Sequence, residues 1–168
     1  PVIEMVEIGA GGGSIAQIDN LGRIQVGPQS AGSEPGPACY GQGGTGATVT
    51  DADVTLGRIA PEGFAGGSVE LTPELSTAAM DAAIAKKLNL DGPLAAFAVS
   101  EMVEENMSNA ARVHAVEQGK ELAARTLIAF GGAAPLHACR MAEKLNMDRV
   151  IIPKGAGVGS AIGFLAAP

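Results

Sequence analysis

The sequence predicts an α/β fold with a mixed sheet and helices on both of its faces, and three observations predict it. Two apolar runs, 127–130 (LIAF) and 149–153 (RVIIP), flank an amphipathic segment of helical period, the pattern of a right-handed βαβ unit. Residues 15–26 alternate about Asp19-Asn20-Leu21-Gly22, which reads as an antiparallel hairpin. Between these features, 73–88 and 94–118 carry apolar residues at three- and four-residue spacing.

Taken in order, 2–8 (VIEMVEI) is apolar enough for a strand or the approach to one. Gly9-Ala10-Gly11-Gly12-Gly13-Ser14 then turns into the hairpin; a dinucleotide fingerprint would place a helix there, whereas IAQID is strand-like. Residues 27–50 are dense in Gly, Pro, Ser and Ala, with a thiol (Cys39) and the only Tyr (Tyr40). That composition favours a functional loop over a disordered linker. Thr50-Asp51-Ala52-Asp53 reads as a capping box, with Thr50 as N-cap and Asp53 reaching back, opening a short helix that ends near Gly63. Asp51 and Asp53 suit either this role or a metal, and capping is the reading favoured. After a loop at 61–71, Thr72 caps and Pro73 opens the 73–88 helix, and Asp91-Gly92-Pro93 breaks the chain.

The next helix, 94–118, is closed by Gly119. Its inner stripe is read as Phe97, Val99, Met102, Val103, Met107, Ala110, Ala111 and His114, with His114 a packed histidine rather than a ligand. The strand 127–130 is too hydrophobic for a wet face and belongs inside a sheet covered on both sides. Gly131-Gly132 at its carboxyl end lets backbone approach a ligand, and Pro135 suits the first turn of the following helix. A last small-residue helix follows Lys154-Gly155-Ala156-Gly157.

Composition narrows the class. Hydrophobic residues make up 46% of the 168 and charged residues 17%, which excludes a disordered chain. With four Phe, one Tyr and no Trp, the core must be built from Ala, Val, Ile, Leu and Met. A net charge of −7 argues against nucleic acid as a partner, since phosphate binding needs clustered Lys and Arg. Cys39 and Cys139 have neither disulfide-framework nor zinc spacing and read as reduced thiols of a cytoplasmic protein. No signal peptide and no run of about 18 apolar residues points to a membrane. Beginning at Pro1 without Met and ending at Pro168 without a polar tail, the chain reads as a piece of a longer polypeptide.

Five blocks, in order, then point to a family: IGAGGGSIA (8–16), VGPQSAGSEPGPACYGQGG (26–44), TVTDADVTLGRI (48–59), FGGAAPLHACRMAEKL (130–145) and IIPKGAGVGSAIGFL (151–165). Together they resemble the hydantoinase A / 5-oxoprolinase family across essentially the whole chain. The resemblance implies an actin-like ATPase (ribonuclease H-like) half-domain, the second half of an ATPase core. The two D-x-G-G-T phosphate-binding segments of the family lie outside this chain. It implies ATP with Mg²⁺, a small cyclic amide substrate activated by phosphorylation, and a hydantoinase B-type subunit or domain in an oligomer. The related subunits of acetone-type carboxylases and a non-catalytic assembly domain are the alternatives. The piece alone is expected to be inactive.

By the same resemblance, Gly131, Gly132 and Ala133 form the adenosine wall, and Gly11, Gly12, Gly13 and Ser14 supply N–H groups and a hydroxyl towards the cleft. The Pro35–Tyr40 loop is also expected to face the active cleft. Catalytic residues stay unassigned, and no metal ligand is assigned to this chain. The family reads F-G-G-A-G-P-L-H-A where this chain has Ala134, so a methyl group is expected to crowd the ligand or force a φ adjustment. Cys39 invites a nucleophile reading but has no base assigned by spacing, and a structural or substrate-lining thiol is favoured. His137 is read as packing or capping.

Overall fold

A computed structural model describes residues 5–167 and has α/β architecture in two compact units: Gly9–Val103, and residues 5–8 with 104–167. In the first unit, β1 (Ser14–Ile18) and β2 (Ile24–Ser30) pair antiparallel as the alternation predicts. Asp19 makes the turn: its carboxylate accepts the N–H groups of Leu21 (2.8 Å) and Arg23 (2.9 Å), and Gly22 takes φ +75°. β2 runs beyond the expected end at Val26. The stretch from Val26 to Ser30 stands opposite Ala16 to Ser14, so the register shifts there, and Gly27 at φ +69° absorbs the extra length. A Cβ on Gly27 would meet the Gly9 carbonyl.

The glycine- and proline-rich loop is ordered around a short 3-10 turn, Ala38–Tyr40, and leads into α1 (Val49–Thr55). The expected capping box is present two residues earlier: Thr48 is the N-cap and Asp51 reaches back. Thr50 is instead committed to Gly12, whose carbonyl accepts both its N–H (2.8 Å) and its hydroxyl (2.9 Å). Residues 61–71, expected as plain loop, include 3-10 turns over Pro61–Gly67. α2 (Pro73–Met80) continues through a π turn (Asp81–Ala85) into α3 (Lys86–Leu88), and Asn89 at φ 54° ends it, matching the predicted 73–88 helix. Thr72 sits at the N-cap position without a side-chain cap bond. Cys39, Val54 and Leu71 form a small core here, with Tyr40, Ile59, Phe64 and Val69 packed against it.

α4 (Gly92–Glu117) starts two residues before the expected Leu94, within the predicted break, because Asp91 Oδ1 accepts the Leu94 N–H at 2.7 Å and Pro93 tolerates a first-turn position. Gly119 at φ +62° closes it as expected. Of the predicted stripe, Val99 and Val103 are buried, but Phe97 is exposed, and beside them Ala96, Ser100, Glu104 and Ser108 lie buried at four-residue spacing.

In the second unit, β3 (Leu127–Ile128) pairs parallel with β4 (Val150–Ile151), and α5 (Ala134–Lys144) connects them. The β–α–β order is as predicted, but two expectations are corrected. Among the described residues there are two separate two-stranded sheets rather than one mixed sheet. β3 is also shorter than 127–130 and not covered on both faces: the opposed Ile128 and Ile151 are 57% and 50% exposed. One parallel ladder with a single connecting helix has too little surface to shield both faces of an apolar strand. After a 3-10 turn, α6 (Gly159–Ala166) exposes Ile162, Phe164 and Leu165. Of the strand expected at 2–8, residues 1–4 lie outside the described residues and 5–8 form no strand.

Candidate functional site

The turn after β3 is built from backbone. Gly131 has φ +105°, a conformation costly for any residue with a Cβ, and its N–H donates to the Ala156 carbonyl at 2.7 Å. A Cβ added at Gly131 or Gly132 would meet nothing within 4 Å, so the turn borders open space. Ala133 precedes α5 without a side-chain cap, and Pro135 sits in the first turn, where its missing N–H costs nothing. Ala134 is the first α5 residue and is not among the residues with positive φ, so the φ adjustment expected of its methyl group is not needed.

The other predicted cluster belongs to the other unit. Gly11 donates its N–H to Ser14 Oγ (3.0 Å), and Ser14 returns its own N–H to the Gly11 carbonyl (3.0 Å). Ser14 Oγ donates in turn to the Gly9 carbonyl at 3.3 Å. The Gly12 carbonyl takes Thr50, and the Gly13 carbonyl takes the Ala31 N–H at 2.9 Å. Ser14 is buried, and its hydroxyl works inside the loop. A strand, not a helix, follows these glycines, which removes the dinucleotide reading.

The capping role favoured for Asp51 is present, with Thr48, but its place as the most connected polar group in this unit was not foreseen. The fully buried Asp51 carboxylate accepts five hydrogen bonds: from the N–H groups of Ala38 (3.1 Å), Cys39 (2.9 Å) and Thr48 (3.0 Å), and from the hydroxyls of Thr48 (2.8 Å) and Ser76 (3.0 Å). It joins the Pro-Ala-Cys-Tyr loop, α1 and α2. Asp53 instead meets Arg58 Nη1 at 3.1 Å. The signal was available: Thr48 and Asp51 have the same three-residue spacing as Thr50 and Asp53.

Cys39 is buried and reduced, while Cys139 is exposed. Burial, followed by the negative charge of Asp51, pushes the Cys39 thiol up to about 12, the reverse of what a nucleophile needs. Burial also raises Tyr40, whose ring packs on Phe64 with centroids 5.6 Å apart. The loop's thiol and phenol therefore serve as packing groups at neutral pH.

His137 is 2% exposed, and its Nδ1 stands 3.0 Å from Oε1 of Glu104 on α4, itself 1% exposed. Glu104 lies on the four-residue ridge with Ser100 and Ser108, whose polar side chains carry no apolar period in the sequence. His114 lines an apolar cavity of about 350 Å³ within the second unit, with Met107, Ala111, Phe130, Ala138 and Met141. Among the described residues, no three His, Cys, Asp or Glu side chains come together as a metal set. Nor is any helix among them long and apolar enough to cross a membrane.

The family model described as hydantoinase/oxoprolinase matches residues 1–168. The chain belongs to the hydantoinase/oxoprolinase family. It is 41% identical to the caprolactamase subunit alpha of Pseudomonas jessenii over 97% of this chain and 23% of that protein. The crystal structure of the ATP-dependent caprolactamase from the same organism superposes with a TM-score of 0.85 at 42% identity, over 93% of this chain and 23% of that one. A nucleotide-free acetone carboxylase structure superposes with a TM-score of 0.88 at 33% identity, over 95% and 23%. This member of the hydantoinase/oxoprolinase family thus spans about a quarter of the length of these relatives.

Proposed function

We propose that the full-length protein is an ATP-dependent enzyme that activates the carbonyl of a cyclic amide for hydrolytic ring opening. In this reading the present chain is part of its actin-like ATPase core. The observation that carries the reading is the Gly131–Ala133 turn: glycine backbone beside open space, at the carboxyl end of a parallel strand and the start of α5, in a chain matched along its length by this family.

These residues fit a nucleotide. The absent side chains of Gly131 and Gly132, with the N–H groups of Gly132 and Ala133, allow the close approach that an adenosine or phosphate group requires. The Gly11–Ser14 loop fits a supporting role, holding the hairpin against α1 through Gly12 and Thr50. Bound ATP supplies the phosphoryl group that makes an amide carbonyl reactive. In this chain, Gly131–Ala133 position the nucleotide, while Asp51 holds the Ala38–Tyr40 turn in place. In this reading the ligands for Mg²⁺ come from the D-x-G-G-T segments outside this chain; among the described residues no three His, Cys, Asp or Glu side chains come together as a metal set. A second subunit or domain of the B type completes the assembly.

A second reading, a subunit of a ketone carboxylase, is favoured by the acetone carboxylase superposition. The purified full-length protein, given ATP and Mg²⁺, separates the two. ADP release stimulated by 5-oxoproline, hydantoin or caprolactam supports the hydrolase, and release that requires a ketone with bicarbonate supports the carboxylase. Absence of any ATP binding by calorimetry leaves only an assembly role. Gly132→Val should weaken ATP binding by about tenfold or more.

A further inference from the structure

α5 is tied to α4 at both ends, by chemically different means. Near its start, His137 and Glu104 meet at 3.0 Å with both side chains buried. At its end, Lys144 Nζ lies 3.1 Å from Glu105 Oε2, and Arg112 Nη2 donates to the Lys144 carbonyl at 2.8 Å. Arg112 also pairs with Glu105 at 2.8 Å, and both of those side chains are substantially exposed. From His137 to Lys144 is about 10.5 Å along a helix, and from Glu104 to Arg112 about 12 Å, so the His137–Glu104 and Lys144–Arg112 contacts are matched in spacing. The inner tie is one helical turn from Ala133; the outer is three turns away.

A buried charged or polar pair is a poor way to gain stability, because apolar residues of similar volume often do as well or better. What it provides is direction. A hydrogen bond fixes distance and angle where an apolar contact tolerates sliding. We propose that Glu104 and His137 form a positioning pair, setting the first turn of α5, and with it the N–H groups of Gly132 and Ala133, at the place where they meet the nucleotide. The inference rests on the reading that this turn contacts ATP. It makes Glu104 and His137 positioning residues with no contact to the reacting atoms.

The bond uses Nδ1, which gives a sharp test in the full-length protein. An Asn amide nitrogen superposes on Nδ1 of histidine, whereas a Gln amide nitrogen superposes on Nε2. His137→Asn should therefore keep the Kd for MgATP, measured by calorimetry, within about threefold, and His137→Gln should weaken it by about tenfold. Thermal midpoints measured alongside separate positioning from folding. Lys144→Ala, which removes the Nζ contact to Glu105 in the outer tie, should lower the midpoint and leave the Kd unchanged. Equal affinities for the Asn and Gln variants would overturn the proposal, as would an equal loss in Lys144→Ala. Gly132→Val distinguishes the two levels: if it leaves the Kd unchanged, the nucleotide reading fails and takes this inference with it. If Gly132→Val weakens binding and the His137 variants match the wild type, only the positioning role fails.

Discussion

The thiol of Cys39 is packed with Val54 and Leu71, and its raised pKa has a consequence for stability. The folded thiol titrates at about 12, against 9.0 as the ordinary value. Below pH 9 both states keep the proton, and the contribution is fully present. Above it the unfolded chain releases a proton that the folded chain retains, so stability falls through the window from 9 to 12, by at most about 1.4 kcal/mol per pH unit. Urea unfolding midpoints should be flat to about pH 8.5 and then decline. The Tyr40 phenol, also raised, adds to the decline, and Cys39→Ala should reduce it. A thiol reagent at pH 8 should label Cys139 alone until denaturant is added; rapid labelling of two thiols in the native protein would contradict this. At this scale the sequence offered the right residue types but not their assignments. Thr48/Asp51 and Thr50/Asp53 are equally good boxes by spacing, and Gly12, some 38 positions away, takes Thr50 out of contention.

Among elements, the loop between β2 and α1 depends on one carboxylate. Asp51 gathers five donors from the Ala38–Tyr40 turn, α1 and α2, and three of them are backbone N–H groups with no side chain to reorient. Asp51→Ala leaves those donors buried without that acceptor, at about 1–3 kcal/mol each before relaxation. The loss expected in equilibrium unfolding is therefore at least about 3 kcal/mol, with new protease sensitivity in the loop. A loss below about 1 kcal/mol would mean that water replaces the carboxylate. The loop's order explains why a glycine-rich composition need not mean disorder. At Gly44 a Cβ would collide with the Gly36 carbonyl, so glycine serves close packing there. Helix limits in α2, α3 and the end of α4 were legible because capping and αL residues act locally, and the hairpin because its turn is local too. The α4 ridge was not, since burial of Ser100, Glu104 and Ser108 depends on what packs against them.

For the molecule as a whole, apolar side chains on β3, β4 and α6 stay open to solvent in the second unit: Phe164 and Leu165 are 83% and 84% exposed. Surface of this kind promotes association. Phe164→Lys with Leu165→Lys should raise the solubility limit of this chain and change its unfolding free energy by no more than about 0.5 kcal/mol per site. A larger drop in stability would show that α6 packs more tightly than its exposure indicates.

What the sequence by itself determined are the features set by neighbours along the chain: the α/β class, the hairpin and its Asp19 turn, the β–α–β order, the Gly119 end of α4 and the family. Tertiary structure alone decided which of two capping boxes forms, that Asp51 rather than Asp53 is the buried hub, that Glu104 partners His137, and that β3 keeps an open face. The reason is physical. Turn and cap energies depend on φ, ψ and side chains a few residues apart, whereas burial and pairing of polar groups depend on segments brought together from dozens of residues away.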